Sequence, residues 1–181
     1  MSEIKEARLQ KANLLISKGF ASYAQSFRVS NSTKFLIKKF DYLENGQEED
    51  FSVSLAGRVM AKRVMGKIAF FTISDQDGQI QLYLEKKIIN LNLEKQKLLS
   101  FEDMKEIVDI GDWIGVYGTI KKTNKGELSI KVEKWEMLSK SLQPLPDKWH
   151  GLTDIEKRYR QRYLDLIVNP HSKNVFKTRA K

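Results

Sequence analysis

From residue 52 onward the chain alternates. Val53, Leu55, Gly57, Val59 and Ala61 take every second position, between Ser54, Ala56, Arg58, Met60 and Lys62. That is the period of a strand with one buried face. A tight connection at Met65-Gly66 leads to a second strand over Lys67 to Ser74, and Asp77-Gly78 signals a hairpin into a third, Gln79 to Leu84. The spacing then turns helical over 94–108, with Leu98, Phe101, Met104 and Val108 on one face. Gly111 opens a fourth strand, Asp112 to Ile120, and Asn124-Lys125-Gly126 turns the chain into a fifth, Glu127 to Trp135. Ahead of the strands, residues 3–18 read as a helix with Ile4, Ala7, Leu14 and Leu15 on a rough apolar stripe and Gly19 as its stop. Residues 20–51 are mixed and end in an acidic run, Glu44 to Asp50, expected to be an exposed loop.

Three strands, a helix and two strands are the element order of an OB-fold, a five-stranded Greek-key barrel that binds oligonucleotides or oligosaccharides. SH3-like and other small barrels share the strand order, and the helix between the third and fourth strands favours the OB arrangement. The expected class is therefore mainly β with helices: an N-terminal helical extension over 1–51, the barrel over 52–140, a linker over 141–152 and a C-terminal helical fragment over 153–181. Gln143-Pro144-Leu145-Pro146-Asp147 is stiff enough to mark the boundary. Thr153-Asp154-Ile155-Glu156 reads as a capping box, predicting a helix from 154 to about 167 before Asn169-Pro170. The stretch Lys173 to Lys181 begins another helical pattern and stops, as expected of a truncated further domain.

Composition narrows the function. There are no cysteines, which excludes disulfides and thiolate metal sites and suits a reducing cytoplasm. His150 and His171 are the only histidines, too few for a histidine metal site, and no metal is expected. No apolar run reaches the roughly 20 residues of a membrane span. The opening MSEIKEARLQ is charged and lacks the apolar stretch of a secretory signal. The net charge of +9 favours a polyanionic partner, although a lysine-rich solubilising surface would give the same number.

The second strand carries the sharpest signal. Adjacent Phe70 and Phe71 must point to opposite sides of the sheet. The Ala69/Phe71/Ile73 face is wholly apolar and suits the barrel interior, which leaves Phe70 outside. There it neighbours a basic first strand and the outward Gln79, Gln81 and Tyr83 of the third. A ring flanked by amide and cationic groups suits single-stranded nucleic acid, because the ring stacks on an unpaired base and the amide meets its edge. Packing of Phe70 against the N-terminal helix is the open alternative. Strict alternation puts Arg63 on the side of Val59 and Ala61, so it reaches the outer face only through a bulge or a strand end. Glu127 has the solvent parity of the fifth strand, as a base-edge acceptor or a solvated carboxylate. No G-x-G-x-x-G, phosphate loop or paired carboxylates suggest catalysis.

These residues also resemble a known family. Leu55-Ala56-Gly57-Arg58-Val59, Arg63 through Lys67, Phe70, Asp75, Gly78 through Tyr83, Gly111-Asp112 and Lys125 through Ile130 resemble the anticodon-binding OB domain of class II lysyl-tRNA synthetases. Aspartyl and asparaginyl synthetases share the barrel motifs. Leu142 through Lys148, His150-Gly151-Leu152 and Arg158-Tyr159-Arg160-Gln161-Arg162-Tyr163-Leu164-Asp165-Leu166 resemble the lysine enzyme in particular. Met137-Leu138-Ser139-Lys140-Ser141 also resembles the class I signature loop, but it lies at a strand end without the partner motif.

The resemblance implies roles. Phe70 aligns with the aromatic that stacks on the central anticodon uridine, Gln81 and Arg63 with residues that read that base and hold the loop, and Glu127 with an acidic residue at a neighbouring base. Arg58, Lys62, Lys67 and Tyr83 are further candidate RNA contacts. The partner implied is tRNA-Lys through its anticodon loop. The lysine–tRNA ligase reaction, its ATP and magnesium, and the homodimer belong to the full-length enzyme, and no catalytic residue or cofactor is expected here. The other readings are a free-standing OB-fold module for tRNA or single-stranded nucleic acid and, apart from RNA, an oligomerisation domain.

Overall fold

The computed structural model describes residues 2–93, 97–146 and 152–181. Five strands, β1 (Glu48–Met65), β2 (Ile68–Ser74), β3 (Gln79–Glu85), β4 (Trp113–Lys122) and β5 (Leu128–Ser139), close a barrel in the order β1-β2-β3-β5-β4. Every pairing is antiparallel except β3 with β5. This is the OB-fold that the element order implies. The interior is filled by the alternation that predicted it: Leu55 and Val59, Ala69, Phe71 and Ile73, Leu82 and Leu84, Val116 and Ile120, and Ile130 and Val132 are all buried. Each large side chain so enclosed stabilises the barrel by about 1.5–3 kcal/mol. Phe71 is 1% exposed, and Phe70 lies half-buried on the opposite side.

β1 departs from the sequence reading twice. It starts at Glu48, inside the stretch expected to be loop, because Glu48 and Glu49 pair with Lys121 and Ile120 of β4 and Glu48 is neutralised there by lysines. It also carries a register shift between Val59 and Ala61, so that Ala61 faces Thr72, Lys62 faces Phe71 and Arg63 faces Phe70. One extra residue there reverses the parity of everything after it. At Gly118 a Cβ would lie 2.0 Å from the Lys131 carbonyl oxygen, so the β4–β5 crossing admits no side chain.

Helix α1 (Glu3–Ser17) ends where predicted, with Gly19 at φ 77°. Its attachment differs from the expected stripe: Ala12 and Leu15 are buried, whereas Ile4 is exposed. Polar contacts do much of the anchoring. Arg8 donates to the carbonyls of Ser141 and Ile110, and Lys11 pairs with Asp109 at 2.6 Å. Helix α2 (Thr33–Lys39) lies in the region read as mixed and buries Leu36. The predicted 94–108 helix is shorter. After α3 (Lys86–Ile89) and a 3-10 turn at Asn90–Asn92, helix α4 runs only over Phe101–Ile107, because Ser100 and Asp103 form a capping box at its start. Residues 94–96, expected to be helical, lie outside the described residues, as do Asp147 of the linker and Lys148, His150 and Gly151 of the quoted motifs.

Residues Met1–Leu142 and Gln143–Lys181 are two compact units. In the second, the predicted single helix is two, α5 (Ile155–Arg160) and α6 (Arg162–Val168), since Gln161 at φ −119°, ψ 56° leaves helical geometry. The N-cap is Asp154, accepting from the Lys157 backbone N–H, rather than Thr153. Helix α7 (Pro170–Arg179) follows. The fully buried Asp165 carboxylate organises this unit. It accepts from Arg158 (2.9 Å), Asn169 (2.6 Å), Ser172 (3.2 Å) and Arg162.

Candidate nucleic-acid interface

The barrel's outer wall is built in rows. Arg63 of β1 stands opposite Phe70 of β2, Phe70 opposite Tyr83 of β3, and Tyr83 opposite Lys131 of β5. The next row runs Ala61, Thr72, Gln81, Ser129. Because Ala61 and Thr72 are small, the wall sinks beside the Phe70 ring. The result is a groove of about 720 Å³ lined by Ala61, Arg63, Phe70, Thr72, Gln81 and Tyr83, together with Lys121 and the β4–β5 turn residues Asn124, Lys125 and Glu127.

The sequence-derived candidates mostly converge here. Phe70 packs edge-on to Tyr83, with ring centroids 5.7 Å apart. Its ring neighbour is therefore in the sheet, while α1 lies against α4 and the ends of β4 and β5. Gln81 is the diagonal neighbour of Phe70, and its amide oxygen accepts from the Ser129 hydroxyl at 2.9 Å. That contact ties the amide to β5, where the same hydroxyl also reaches the Glu127 carbonyl at 3.2 Å. Arg63 is exposed, delivered to this face by the bulge that strict alternation required. Glu127 is exposed at the turn, where its backbone N–H donates to the Thr123 hydroxyl at 3.1 Å.

The remaining candidates separate. The Lys62 stem lines the groove, but its ammonium donates to the carbonyls of Lys105 and Val108 at 2.7 and 2.6 Å, and burial lowers its pKa. Arg58 stands outside the groove, donating to the Gly111 carbonyl at 2.8 Å and lying over Trp113. Lys67 is exposed beside the β1–β2 turn and is not part of the lining. Tyr83 lines the groove, with its hydroxyl donating to Glu85 at 3.3 Å; burial and then the Glu85 carboxylate raise its pKa, so it stays a neutral donor. The motif residue Lys140 is fully buried between Asp109 and Asp112 at 2.6 and 2.7 Å, which assigns it to the barrel's framework.

The candidates read from sequence do not include Ser129, Thr72 or Lys121, which also bear on the groove. Ser129 and Thr72 share the outward parity of residues already singled out on their strands, and Lys121 sits one step beyond the inward Ile120. Parity was a sufficient signal for all three. Among the described residues no group of three or more His, Cys, Asp or Glu converges as on a metal ion, and no helix is long and apolar enough to cross a membrane.

Comparison with known proteins agrees with the barrel fold. The tRNA anticodon family, described as an OB-fold nucleic acid binding domain, matches residues 53–138. A lysine–tRNA ligase of Prochlorococcus marinus (strain MIT 9301) is 94% identical over all 181 residues, which amount to 35% of that protein. Another from strain MIT 9515 is 80% identical over the same span and share. The lysine–tRNA ligase of Synechococcus sp. (strain CC9902) is 55% identical over 180 residues, 99% of this chain and 35% of the relative. The chain thus spans about a third of the length of the curated relatives it matches.

Proposed function

This chain belongs with the lysine–tRNA ligases, and from that premise we propose that the groove around Phe70 reads the anticodon loop of a tRNA that accepts lysine. One observation carries the reading: a half-exposed benzyl ring shares a groove with an amide tied to Ser129 and with an exposed guanidinium. A base unstacked from the loop lies on Phe70. At its edge uracil offers two carbonyl oxygens and an N–H. The Gln81 amide nitrogen donates to a carbonyl, and its oxygen, already accepting from Ser129, keeps a second lone pair for the N–H. Cytosine presents an amino donor where uracil presents O4, so the same amide matches it poorly. Arg63 holds the loop through phosphate or a base carbonyl, and Glu127 accepts from an N–H of a neighbouring base. Tyr83 supports the stack from its edge. Lys67 meets the backbone outside the groove, and Arg58 and Lys62 serve the barrel.

In the whole ligase this recognition selects the tRNA on which lysine, activated with ATP and magnesium, is transferred in the cytoplasm by a homodimer. None of those steps is assigned to a residue of this chain. The test is binding of an RNA hairpin carrying a uridine-rich anticodon loop. Phe70→Ala should weaken it by roughly 1–3 kcal/mol, the usual worth of one base–aromatic stack, with the melting temperature near that of the unaltered protein. Undiminished binding by Phe70→Ala would overturn the reading. Affinity indifferent to loop sequence would favour a generic single-strand module.

A further inference from the structure

Beside the groove two lysines are held by one carboxylate. Glu48, the first residue of β1, gives one oxygen to Lys121 at 2.7 Å and the other to Lys131 at 2.5 Å. Lys121 lines the groove, with its ammonium 4.8 Å from the centre of the Tyr83 ring. Lys131 is the cross-strand partner of Tyr83, and Lys121 that of Ser129. Both cations therefore stand on the rows that hold Phe70 and Gln81. Glu85 is bonded to the Tyr83 hydroxyl, and the other charged residues lining the groove with Tyr83 are Lys62, Arg63, Lys125 and Glu127.

Resting on the anticodon reading, we propose that Glu48 is a built-in substitute for phosphate, holding Lys121 and Lys131 until the phosphodiester next to the base stacked on Phe70 displaces it. Two oxygens of one anion bridging two ammonium groups is also how a phosphodiester would sit between them. Exchange is feasible because Glu48 keeps 42% of its side chain exposed and water reaches the carboxylate, while Lys121 and Lys131 keep 21% and 25%. It also stands at the start of its strand, ahead of the register shift that separates Glu49 from Val53. Both hydrogen bonds hold the Glu48 carboxyl below its ordinary pKa, so the substitute remains an anion in mild acid.

The consequence is selectivity. An RNA that merely drifts against the barrel meets a rim whose two cations are already neutralised. One that has seated a base on Phe70 brings its adjoining phosphate to the rim at high effective concentration, and the exchange then becomes favourable. Lys121 and Lys131 add affinity chiefly to RNA that has passed the base test.

The experiment uses the 181-residue chain and two hairpins, one with a uridine-rich loop and one abasic at the central loop position. For the unaltered protein, affinity for the intact hairpin should fall more steeply with salt, the log–log slopes differing by about 0.7 for one additional neutralised phosphate on a single strand. Glu48→Gln should strengthen binding of the abasic hairpin about tenfold and steepen its salt slope toward that of the intact one, since freed cations then meet any phosphate. Lys131→Met, which does not depend on the fold of the first variant, should weaken the intact hairpin about tenfold while leaving the abasic one within twofold. Variants that shift both hairpins alike, or neither, overturn the exchange. Phe70→Ala, run alongside, separates the two ideas. If it weakens the intact hairpin while the Glu48 and Lys131 variants fail to split the pair, only the exchange falls. If Phe70→Ala has no effect, the base reading falls and the exchange with it.

Discussion

Ser129 is fully enclosed, and its hydroxyl is shared between two groove residues, the Gln81 amide oxygen at 2.9 Å and the Glu127 carbonyl at 3.2 Å. Ser129→Ala should free the amide to turn, placing either its oxygen or its nitrogen against a base. The preference for uridine over cytidine should shrink, by less than the roughly 1 kcal/mol of a neutral hydrogen bond, while affinity for the uridine loop changes little. Competition binding with the two loops checks this. Lys140 gives a prediction about stability instead. Its ammonium and the Asp112 carboxylate are both wholly buried, and the Ile107 carbonyl and Asp109 complete the site. Lys140→Met leaves the buried Asp112 carboxylate without its ammonium, while Asp109 keeps Lys11, and removal of one partner of a buried pair costs about 3–5 kcal/mol. A urea midpoint will show it. Phe70, Gln81 and Tyr83 were legible on the outer face from alternation alone. The Lys140 site was not, because its partners lie about thirty positions away and no local spacing connects them.

At the scale of elements, the sequence pattern found the five strands because each buries one face, and the period of two survives any detail of closure. It misplaced what depends on single contacts. The Val59–Ala61 bulge cannot be read from hydrophobicity, since Met60 and Ala61 suit either face, yet it decides whether Arg63 meets the groove. The helix before β4 shrank because the Ser100–Asp103 capping box, itself visible in sequence, outranked the apolar spacing on its N-terminal side. Gly118→Ala should destabilise the barrel by about 1–3 kcal/mol or more, as overpacking at a close crossing does, since the new Cβ would fall 2.0 Å from a carbonyl oxygen. Asp75 ties two elements together: its carboxylate accepts from the Thr33 N–H and hydroxyl at the start of α2 and from the Asp77 and Gly78 N–H groups of the β2–β3 turn. Burial opposes its charge, but these hydrogen bonds prevail and lower its pKa. A lowered carboxyl pKa contributes stability above the unfolded value near 3.9, lost as pH falls through the folded value. Asp75→Asn should therefore lower stability at neutral pH and flatten its fall in acid, measured by denaturant titration from pH 7 to 3.

For the whole molecule, the charge of +9 favours a polyanion at a distance, and the proposed reading leaves the selection among RNAs to the groove. All groove residues lie in Met1–Leu142, one of the two compact units, so a chain ending at Leu142 should bind the anticodon hairpin within about threefold of the full one, less than one tenfold step of 1.4 kcal/mol. The second unit answers to acid on its own terms. Burial pushes the Asp165 carboxyl up, but hydrogen bonds from Asn169, Arg158, Arg162 and Ser172 outweigh it and bring its pKa down to about 2. Its contribution to that unit is complete above about pH 4 and lost toward pH 2, which carboxyl carbon shifts will follow directly.

The central claim is that Gln81, beside the Phe70 ring, recognises the middle base of the loop, and a double-mutant cycle tests it most directly. Binding is measured for unaltered protein and Gln81→Ala, each with uridine and with cytidine at the central position. The account predicts that the two changes fail to add, with a coupling of about 1–3 kcal/mol as for other amide–base pairs. Coupling near zero, with both proteins favouring uridine to the same degree, would contradict it.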